Sequence, residues 1–315
     1  MGDSTVLVCA GSFRVVFAAA VTAAAVGLVA ASPVAPASPA GEASVDAYAG
    51  LGTWVDVYDA AAWAQPERVV EAMSARGVAT LFLQTSNYRR AEGVVRPNLV
   101  ARFIAAAHDR DINVVAWYLP SLSDLARDYR RAMRAIRFRT SDGDGFDSFA
   151  LDIEARVVRS PSRRTARLLR LSSSVRRSVG PSYPLGAIVP SGRRMRLDPG
   201  YWPGFPYRAL AQSFDVFLPM TYFAYGASGA RGRVDTLRDV ALIRRGTRDP
   251  AVQIHVIGGI ASLARRSEVN AFVGTALACG VLGVSLYDFL GTRPDQWAAL
   301  SRVTLLLGHV PEKCN

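Results

Sequence analysis

The segment DGFDSFALDIE, residues 144–154, ends an apolar run in two acids. In a β-strand, successive side chains point to opposite sides. Leu151 and Ile153 therefore share one side, and Asp152 and Glu154 share the other. Burying a carboxylate is costly unless it is paired or used. The segment predicts a buried strand whose second side turns its last two acids toward water, a partner or a substrate.

Seven further short runs rich in β-branched or aromatic residues accompany this strand, and stretches with helical periodicity separate them. The predicted strands span 53–59, 79–86, 112–120, 146–154, 183–190, 214–222, 252–259 and 281–289. Eight strand–helix units over about 260 residues match the size of a (β/α)8 barrel. A doubly wound open sheet is the alternative, but it usually has fewer strands and a ligand fingerprint that this sequence lacks. The sequence therefore predicts an α/β fold, a (β/α)8 TIM barrel.

In such a barrel, the outward side of each strand packs under helices and should be apolar, while polar side chains point inward. This test places a set of polar and aromatic side chains inside: Asp56, Tyr58, Gln84, Asp152, Glu154 and Tyr287. His255 also points inward but comes early in its strand, and we interpret it as a core histidine. Barrel enzymes hold their chemistry at the carboxyl ends of the strands, where Asp152 and Glu154 are expected.

Asp152 and Glu154 suit acid catalysis. Two residues apart on one side of a strand, they are separated by about 6.5 to 7 Å along it. Neighbouring acids push their pKa values apart, so one stays protonated while the other is ionised. A protonated Glu154 can donate to a glycosidic oxygen while Asp152 stabilises the developing positive charge. Salt bridges to Arg156 or Arg159 are the structural alternative.

Aromatic residues gather at the predicted strand ends, where their rings could stack on the apolar faces of sugars. Individually, each is as well explained by core packing. Together with two acids, they predict a carbohydrate cleft. The predicted substrate-binding residues are Asp56, Tyr58, Gln84, Tyr118, Tyr222 and Tyr287. Residues 191–210, rich in Gly, Pro and aromatics, are too long for a simple connection and are predicted to form part of the cleft rim.

FDSFALDIE resembles the fourth-strand motif of glycoside hydrolase family 18, the chitinase-like enzymes, in which Asp-x-x-Asp-x-Asp-x-Glu ends in the catalytic acid. Asp147, Asp152 and Glu154 match its first, third and last acids, while Ala150 replaces the second. LPMTYF, residues 218–223, is similar to the family's Met-x-Tyr-Asp element.

In that element, Met220 and Tyr222 match and Phe223 replaces the Asp. On the last strand, Tyr287 stands where the family usually has Trp. The resemblance implies a barrel hydrolase with Glu154 as its acid. The departures bear on the substrate-assisted mechanism, in which acids near the Glu orient the N-acetyl group of the sugar.

The lysozyme-like family 25 is a second resemblance, since WVDVYD and LDIE are similar to its first-strand Asp and fourth-strand Asp-x-Glu. It implies that Asp56, Asp152 and Glu154 are the acids of the site and that peptidoglycan is the substrate. We therefore expect a glycoside hydrolase acting on an extracellular or cell-wall polysaccharide. The alternative is a barrel that has lost catalysis and binds glycans, as a lectin-like or cell-surface module.

The amino-terminal region has the pattern of an export signal. Arg14 precedes an uncharged run at 15–31, and small residues follow. We expect a signal peptide or anchor at 1–40, a short linker at 41–47, the barrel at 48–309 and a tail at 310–315. The expected location is secreted or at the extracytoplasmic cell surface. Cys279 and Cys314 could pair there or remain free thiols.

The net charge of +11 favours contact with polyanions. Residues 156–177 hold eight arginines and no acids, and they predict the solvated face of a helix. An anionic cell-wall polymer or a lipid surface is a possible partner for this face. Nucleic acid is not expected, because the sequence lacks a motif for it. Three scattered histidines predict no metal site, and we expect no cofactor and a monomeric chain.

Overall fold

The computed structural model describes residues 44–224 and 231–303. Eight parallel strands pair in chain order and close into a barrel, with the eighth strand hydrogen-bonded to the first. The strands are β1 (Gly50–Val55), β2 (Thr80–Asn87), β3 (Asn113–Leu119), β4 (Ser148–Asp152), β5 (Leu185–Pro190), β6 (Val216–Met220), β7 (Gln253–Ile260) and β8 (Gly283–Tyr287). The predicted (β/α)8 TIM barrel is confirmed.

Helices connect the strands and cover the barrel on its outside. In the described residues they are α1 (Ala60–Ala64), α2 (Pro66–Ser74), α3 (Pro97–His108), α4 (Leu125–Ile136), α5 (Pro161–Val179), α6 (Gly192–Leu197), α7 (Tyr207–Leu210), α8 (Arg231–Thr247), α9 (Arg266–Ala278) and α10 (Pro294–Leu300). Local sequence sets several of their starts. Asp124, Ser160 and Ser191 each accept a hydrogen bond from a backbone N–H in the first turn of α4, α5 and α6, respectively.

The strands separate two apolar layers, as their alternation predicts. Leu81 and Leu83 point outward and pack under the helices, whereas Phe82 between them points into the barrel. There the ring of Phe82 stacks on that of Trp54, with centroids 4.2 Å apart. Aromatic side chains thus fill the interior of the barrel below the carboxyl ends of the strands.

The amino-terminal end of the barrel is closed by a hydrogen-bonded chain through His255. The Trp54 indole N–H donates to Ser285 Oγ at 2.8 Å, and Ser285 lies 3.0 Å from His255 Nε2. His255 Nδ1 lies 2.8 Å from the carbonyl oxygen of Tyr48, which requires the ring to donate there. Burial lowers the pKa of His255 to about 4, so the imidazole is neutral. The interpretation as a core histidine is confirmed.

Gly283 lies where the same end of the barrel leaves no room for a side chain. A Cβ there would come within 2.5 Å of the Tyr48 carbonyl oxygen and 2.7 Å of that of Gly50. We expect Gly283→Ala to lower the free energy of unfolding by about 1–3 kcal/mol, because backbone must move to relieve the overlap. Gly274 in α9 faces open space, so Gly274→Ala should instead gain helix propensity of up to about 1 kcal/mol. Equal urea midpoints for the two variants would contradict this packing.

β1 begins and ends three to four residues earlier than predicted. The N–H of Gly50 donates to the Leu282 carbonyl at 3.0 Å, which starts the pairing at residue 50 rather than 53. Asp56 and Tyr58 therefore follow the strand instead of lying in it. Ahead of β1, Ala47 belongs to the buried apolar cluster inside the barrel, and Val45 packs against that cluster. The last residues of the predicted linker thus contribute to the barrel.

The predicted signal segment and the tail lie outside the described residues. Cys314 also lies outside them. Cys279, within the described residues, is buried and disulfide-bonded. That bond excludes a free thiol at Cys279. Along the described parts of the chain, no helix is both long enough and apolar enough to cross a bilayer.

The arginine-rich segment is only partly a solvated face. Arg164 is 1% exposed, with its guanidinium 4.1 Å from the centre of the Trp202 ring. Arg176 pairs with Asp215 at 2.5 Å. These two arginines tie α5 to the barrel, so the solvated-face interpretation is wrong for them. Arg163, Arg170 and Arg177 are exposed as expected.

Candidate active site

A cavity of about 890 Å³ opens at the carboxyl ends of the strands. Its walls come from the ends of β1 to β6 and β8 and from the connections that follow them. Seven of the eight residues predicted for the site line it: Asp56, Tyr58, Gln84, Asp152, Glu154, Tyr222 and Tyr287. The barrel therefore brings together residues that are more than 230 positions apart in the chain.

Tyr118 is the exception, and its predicted role in substrate binding is wrong. Its side chain is buried outside the barrel, where the hydroxyl donates to Asp128 of α4 at 2.6 Å. In the register of β3 and β4, Tyr118 lies beside the outward Leu151, whereas Trp117 lies beside the inward Ala150. Alternation thus puts Trp117 in the cavity wall and turns Tyr118 away from it.

Asp152 is a buried acid aimed into this cavity. Its side chain is 5% exposed, and its Oδ1 has no hydrogen-bond partner within the described residues. Burial raises the pKa of Asp152 well above its ordinary value, and the charge of Glu154 raises it further. Asp152 therefore holds a proton far more tightly than a surface aspartate does.

Glu154 lies on the cavity wall two residues further on, open to the solvent that fills the cavity. The surrounding walls nevertheless raise its pKa, and the nearby charge of Arg194 partly offsets that rise. The alternative of a salt bridge is not observed in the described part of the chain, where Arg156 pairs with Asp198 at 3.0 Å instead. Asp152 thus feels the charge of Glu154, whereas Glu154 feels that of Arg194 without forming a salt bridge with it.

The backbone of Glu154 is held from two sides. The Ile153 N–H donates to the carbonyl of Ile188 at 2.8 Å, which extends the pairing of β4 with β5. The Tyr201 hydroxyl donates to the carbonyl oxygen of Glu154 at 2.8 Å. Glu154 is therefore presented on a rigid wall, as a catalytic side chain requires.

Asp56 lies on the opposite side of the cavity and positions Tyr287. The Tyr287 hydroxyl donates to Asp56 Oδ2, and Asp56 Oδ1 accepts from the Tyr58 N–H at 2.6 Å. Burial raises the pKa of the adjacent Asp59 to about 6, although the hydrogen bond that Asp59 accepts from the Asp56 N–H partly offsets this rise. The Asp56–Tyr287 pair orients one aromatic ring and one carboxylate toward the acids across the cavity.

The remaining predicted residues form the entrance and the floor. Tyr58 is 60% exposed at the mouth, and its hydroxyl accepts from Asn87 Nδ2 at 3.2 Å. Gln84 is buried and accepts from the Val57 N–H at 3.0 Å, which ties the end of β2 to the turn after β1. Tyr222 packs partly against the interior cluster. Flat rings and polar side chains thus alternate around the opening.

Residues 191–210, predicted to lie at the rim, do supply part of it. Ser191, Arg193, Arg194, Leu197 and Tyr201 line the cavity. The sequence analysis identified the segment but none of these residues individually. The adjacent arginines of GRRMR, directly after a strand end, were the signal that was available.

Two of the residues that depart from the family 18 pattern, Ala150 and Phe223, are buried, whereas the third, Tyr287, lines the cavity. Ala150 is enclosed in the barrel interior, and Phe223 packs on Phe272 with ring centroids 5.4 Å apart. Asp147 lies at the start of β4, where Oδ2 accepts from the Val114 N–H at 2.7 Å and contacts His108 at 3.1 Å. Of the motif's acids, Asp152 and Glu154 thus reach the cavity and Asp147 does not.

Within residues 44–224 and 231–303, no group of three or more His, Cys, Asp or Glu side chains converges in a way that could hold a metal ion.

Several solved structures share the architecture of this barrel. The endo-1,4-β-mannanase of Rhizomucor miehei aligns with a TM-score of 0.64 at 10% identity, over 83% of this chain and 95% of that one. The spore cortex-lytic enzyme SleL of Bacillus cereus aligns at 0.61 and 10% identity, over 85% and 76%. A class V chitinase of Pseudomonas fluorescens Pf-5 aligns at 0.57 and 13% identity, over 81% and 99%.

The chain shares the (β/α)8 fold of these enzymes. Identities this low show the fold and no more. No family model matches the sequence, and no curated protein matches it.

The rim helix α6 is anchored by a buried acid, Asp239 of α8. Asp239 Oδ1 accepts from the Gly192 N–H at 2.8 Å, and burial raises the pKa of Asp239 to about 7. A pKa above the unfolded value means that the folded protein binds this proton more tightly. This tighter binding of the proton on Asp239 adds to the free energy of unfolding at about pH 4, and the contribution is lost as the pH rises to about 7.

Asp239→Asn should therefore flatten the fall in stability over this range, because the amide cannot ionise and its oxygen can still accept from Gly192. A shift of about three pKa units sets an upper bound of about 4 kcal/mol on the gain over wild type at pH 8. Urea unfolding of both proteins at pH 4.5 and pH 8 measures it. Asp142→Asn, at an exposed loop position, is the matched control. Parallel pH dependence of wild type and Asp239→Asn would refute the prediction.

Proposed function

We propose that the protein is a glycoside hydrolase that acts on an extracellular or cell-wall polysaccharide, with Glu154 as general acid and Asp152 as its electrostatic partner. The observation that carries the proposal is the pair itself: two acids with raised pKa values, facing one cavity at the carboxyl ends of the barrel strands. The export pattern at residues 1–40 supports a site of action outside the cytoplasm.

The pair can supply one proton. Because like charges oppose the second ionisation, Asp152 and Glu154 together keep a proton at pH values at which a lone surface carboxyl has lost it. Of the two acids, Asp152 is the more deeply buried and has its pKa raised well above the ordinary value, so it is the favoured holder of that proton before a ligand binds. A hydrogen-bond donor on the substrate would give Asp152 Oδ1 the partner that it lacks and favour its ionised form. The proton then moves to Glu154.

Glu154 next donates the proton to the glycosidic oxygen, and the C–O bond to the leaving sugar breaks. A water molecule then adds to the anomeric carbon and gives a proton back to Glu154, which restores the acid. The ionised Asp152 stabilises the positive charge that develops on the sugar ring. Tyr58, Trp117 and Tyr287 offer aromatic rings around the cavity on which sugar faces can stack. Asp56 and Gln84 present oxygens within the same walls for the sugar hydroxyls.

A glycan-binding barrel without catalysis is the second candidate. The observation that favours it is the burial of Ala150 and Phe223 at positions where family 18 has acids. The aromatic and polar lining of the cavity would serve binding equally well. The two functions differ in the role of Glu154. A hydrolase needs its carboxyl group for turnover, whereas in a glycan-binding barrel Glu154 only lines the cavity.

A release assay tests the proposal. The chain from about Ala43 onward would be incubated with peptidoglycan, chitin oligomers and other polysaccharides, with Glu154→Gln in parallel. Soluble sugar released by the wild type and not by the variant would support a glycosidase and define its substrate class. Capture on one polymer without release by either protein would instead support the binding function.

A further inference from the structure

One side of the cavity is rich in arginine side chains. Among the described residues, four arginines line the cavity: Arg89, Arg156, Arg193 and Arg194. Three of them follow β4 and β5 and therefore flank Glu154. The lining acids are Asp56, Asp152 and Glu154, so arginines outnumber acids among the residues that line the cavity.

Two of these guanidinium groups share a single carboxylate. Asp198 lies 3.0 Å from Arg156 and 3.8 Å from Arg194. The side chains of Arg156 and Arg194 remain 49% and 56% exposed, so N–H donors on both are left facing solvent. A guanidinium has five such donors, and one carboxylate cannot satisfy two of these groups.

Tyr201 fixes where these charges lie relative to the acid. The guanidinium carbons of Arg156 and Arg194 are 5.3 Å and 5.0 Å from the centre of its ring. The hydroxyl of the same ring donates to the Glu154 backbone. Both arginines therefore lie against the ring whose hydroxyl holds the Glu154 backbone, and the charge of Arg194 acts on the Glu154 carboxyl by lowering its pKa.

A neutral sugar would bring nothing to balance this charge. Closing a ligand over a guanidinium costs free energy unless the ligand supplies a partner. Carboxylate and phosphate groups are the partners that match a guanidinium fork, because they accept two parallel hydrogen bonds. The exposed arginines thus indicate an oxyanion on the ligand, placed beside the sugar that Glu154 contacts.

We propose that the cavity binds an anionic glycan, whose carboxylate or phosphate group is bound by Arg156 and Arg194 on the sugar unit next to the cleaved bond. The inference rests on the proposed hydrolase function and adds the charge of its substrate. Arg193 lines the same wall but lies 3.9 Å from a carboxylate of its own, the buried Asp235, so the inference does not depend on it.

Binding measured in the Glu154→Gln background separates recognition from cleavage. The probes are a uronic-acid oligosaccharide, the same oligosaccharide with its carboxyl groups reduced to alcohols, and a phosphorylated oligosaccharide. We expect calorimetry to show affinity for at least one anionic probe and at least tenfold weaker affinity for the reduced one. A comparison of the carboxylated and phosphorylated probes identifies the oxyanion.

Replacing both arginines, Arg156→Gln with Arg194→Gln, should weaken binding of the anionic probe by about 10- to 100-fold and leave the reduced probe unaffected. Arg170→Gln is the matched control, since Arg170 is exposed on α5 outside the cavity lining. Equal losses in the double variant and in Arg170→Gln would show general attraction to a basic chain and overturn the inference. So would tighter binding of the reduced probe.

The inference and the hydrolase function can fail separately. Selective binding of the anionic probe, with no sugar released by the wild type from any polymer, would refute the hydrolase and leave the anionic specificity in place. Release from neutral polysaccharides that is unchanged by the double variant would refute the specificity and leave the hydrolase in place. Circular dichroism of each variant confirms that the barrel is folded in either case.

Discussion

Glu154→Gln is expected to lower turnover by about 10²- to 10⁴-fold, the range by which a positioned acid accelerates a reaction. Glutamine keeps the shape of the side chain and can still hydrogen-bond to a sugar, but it has no proton to donate. The Glu154 backbone is held by Tyr201 and by the pairing next to Ile153, and neither contact involves the carboxyl group. The loss should therefore appear in kcat, with the affinity for substrate largely kept.

Steady-state kinetics on the polymer that the wild type cleaves would measure this split. Glu71→Gln is the matched control, because Glu71 lies exposed on α2 and does not line the cavity. A Glu154→Gln enzyme that retains more than a tenth of wild-type turnover would remove Glu154 from the role of acid. A fall in affinity with unchanged kcat would assign it to binding.

Asp152→Asn is expected to lower kcat by about 10²-fold, the effect of removing one preorganised electrostatic group. It should also move the alkaline limb of the pH–rate profile to lower pH. In the wild type, the charge left by the first ionisation raises the pKa for loss of the second proton. Asparagine carries no charge, so the proton on Glu154 would be lost at a lower pH.

The pH dependence distinguishes this role from simple positioning. A variant that only misplaced the substrate would have a lower rate at every pH and an unchanged alkaline limb. Thermal unfolding of Asp152→Asn at neutral pH provides the control, since replacing a buried acid that lacks a partner at Oδ1 should not destabilise the barrel. An alkaline limb that stayed in place would show that the two acids do not share a proton.

The barrel could be predicted from the sequence because its strands are short, apolar and regularly spaced. Alternation along FDSFALDIE also placed Asp152 and Glu154 on the inner face, since Leu151 and Ile153 pack outside. Five further residues predicted for the site line the same cavity. Local periodicity carries this information, because in a closed barrel it fixes which side chains face inward.

Tyr118 shows where such reasoning fails. Trp117 and Tyr118 are adjacent aromatics near the end of β3, and the presence of an aromatic residue does not say which of the two faces inward. Pairing with β4 sets the register, and the hydroxyl of Tyr118 is satisfied by Asp128 of α4. That partner is a property of the packed helix and not of the strand.

The positions of Arg194 and Tyr201 could not be derived from the sequence either. They depend on how residues 191–210 return over the barrel mouth, which tertiary contacts decide. Asp239, far along the chain in α8, accepts from Gly192 and holds the start of that segment. In a strand, alternation along the sequence fixes the direction in which each side chain points. A rim loop has no such periodicity, so its sequence does not fix these directions.

The chain enters the barrel at the end opposite to the cavity. Tyr48 donates to the Phe149 carbonyl at 2.9 Å, and Thr80 Oγ1 donates to that of Ala47 at 3.1 Å, both at the amino ends of strands. A tag or a solid support attached ahead of Ser44 would therefore leave the mouth unobstructed. Protein immobilised by that end could therefore act on an insoluble polymer that is too large to diffuse.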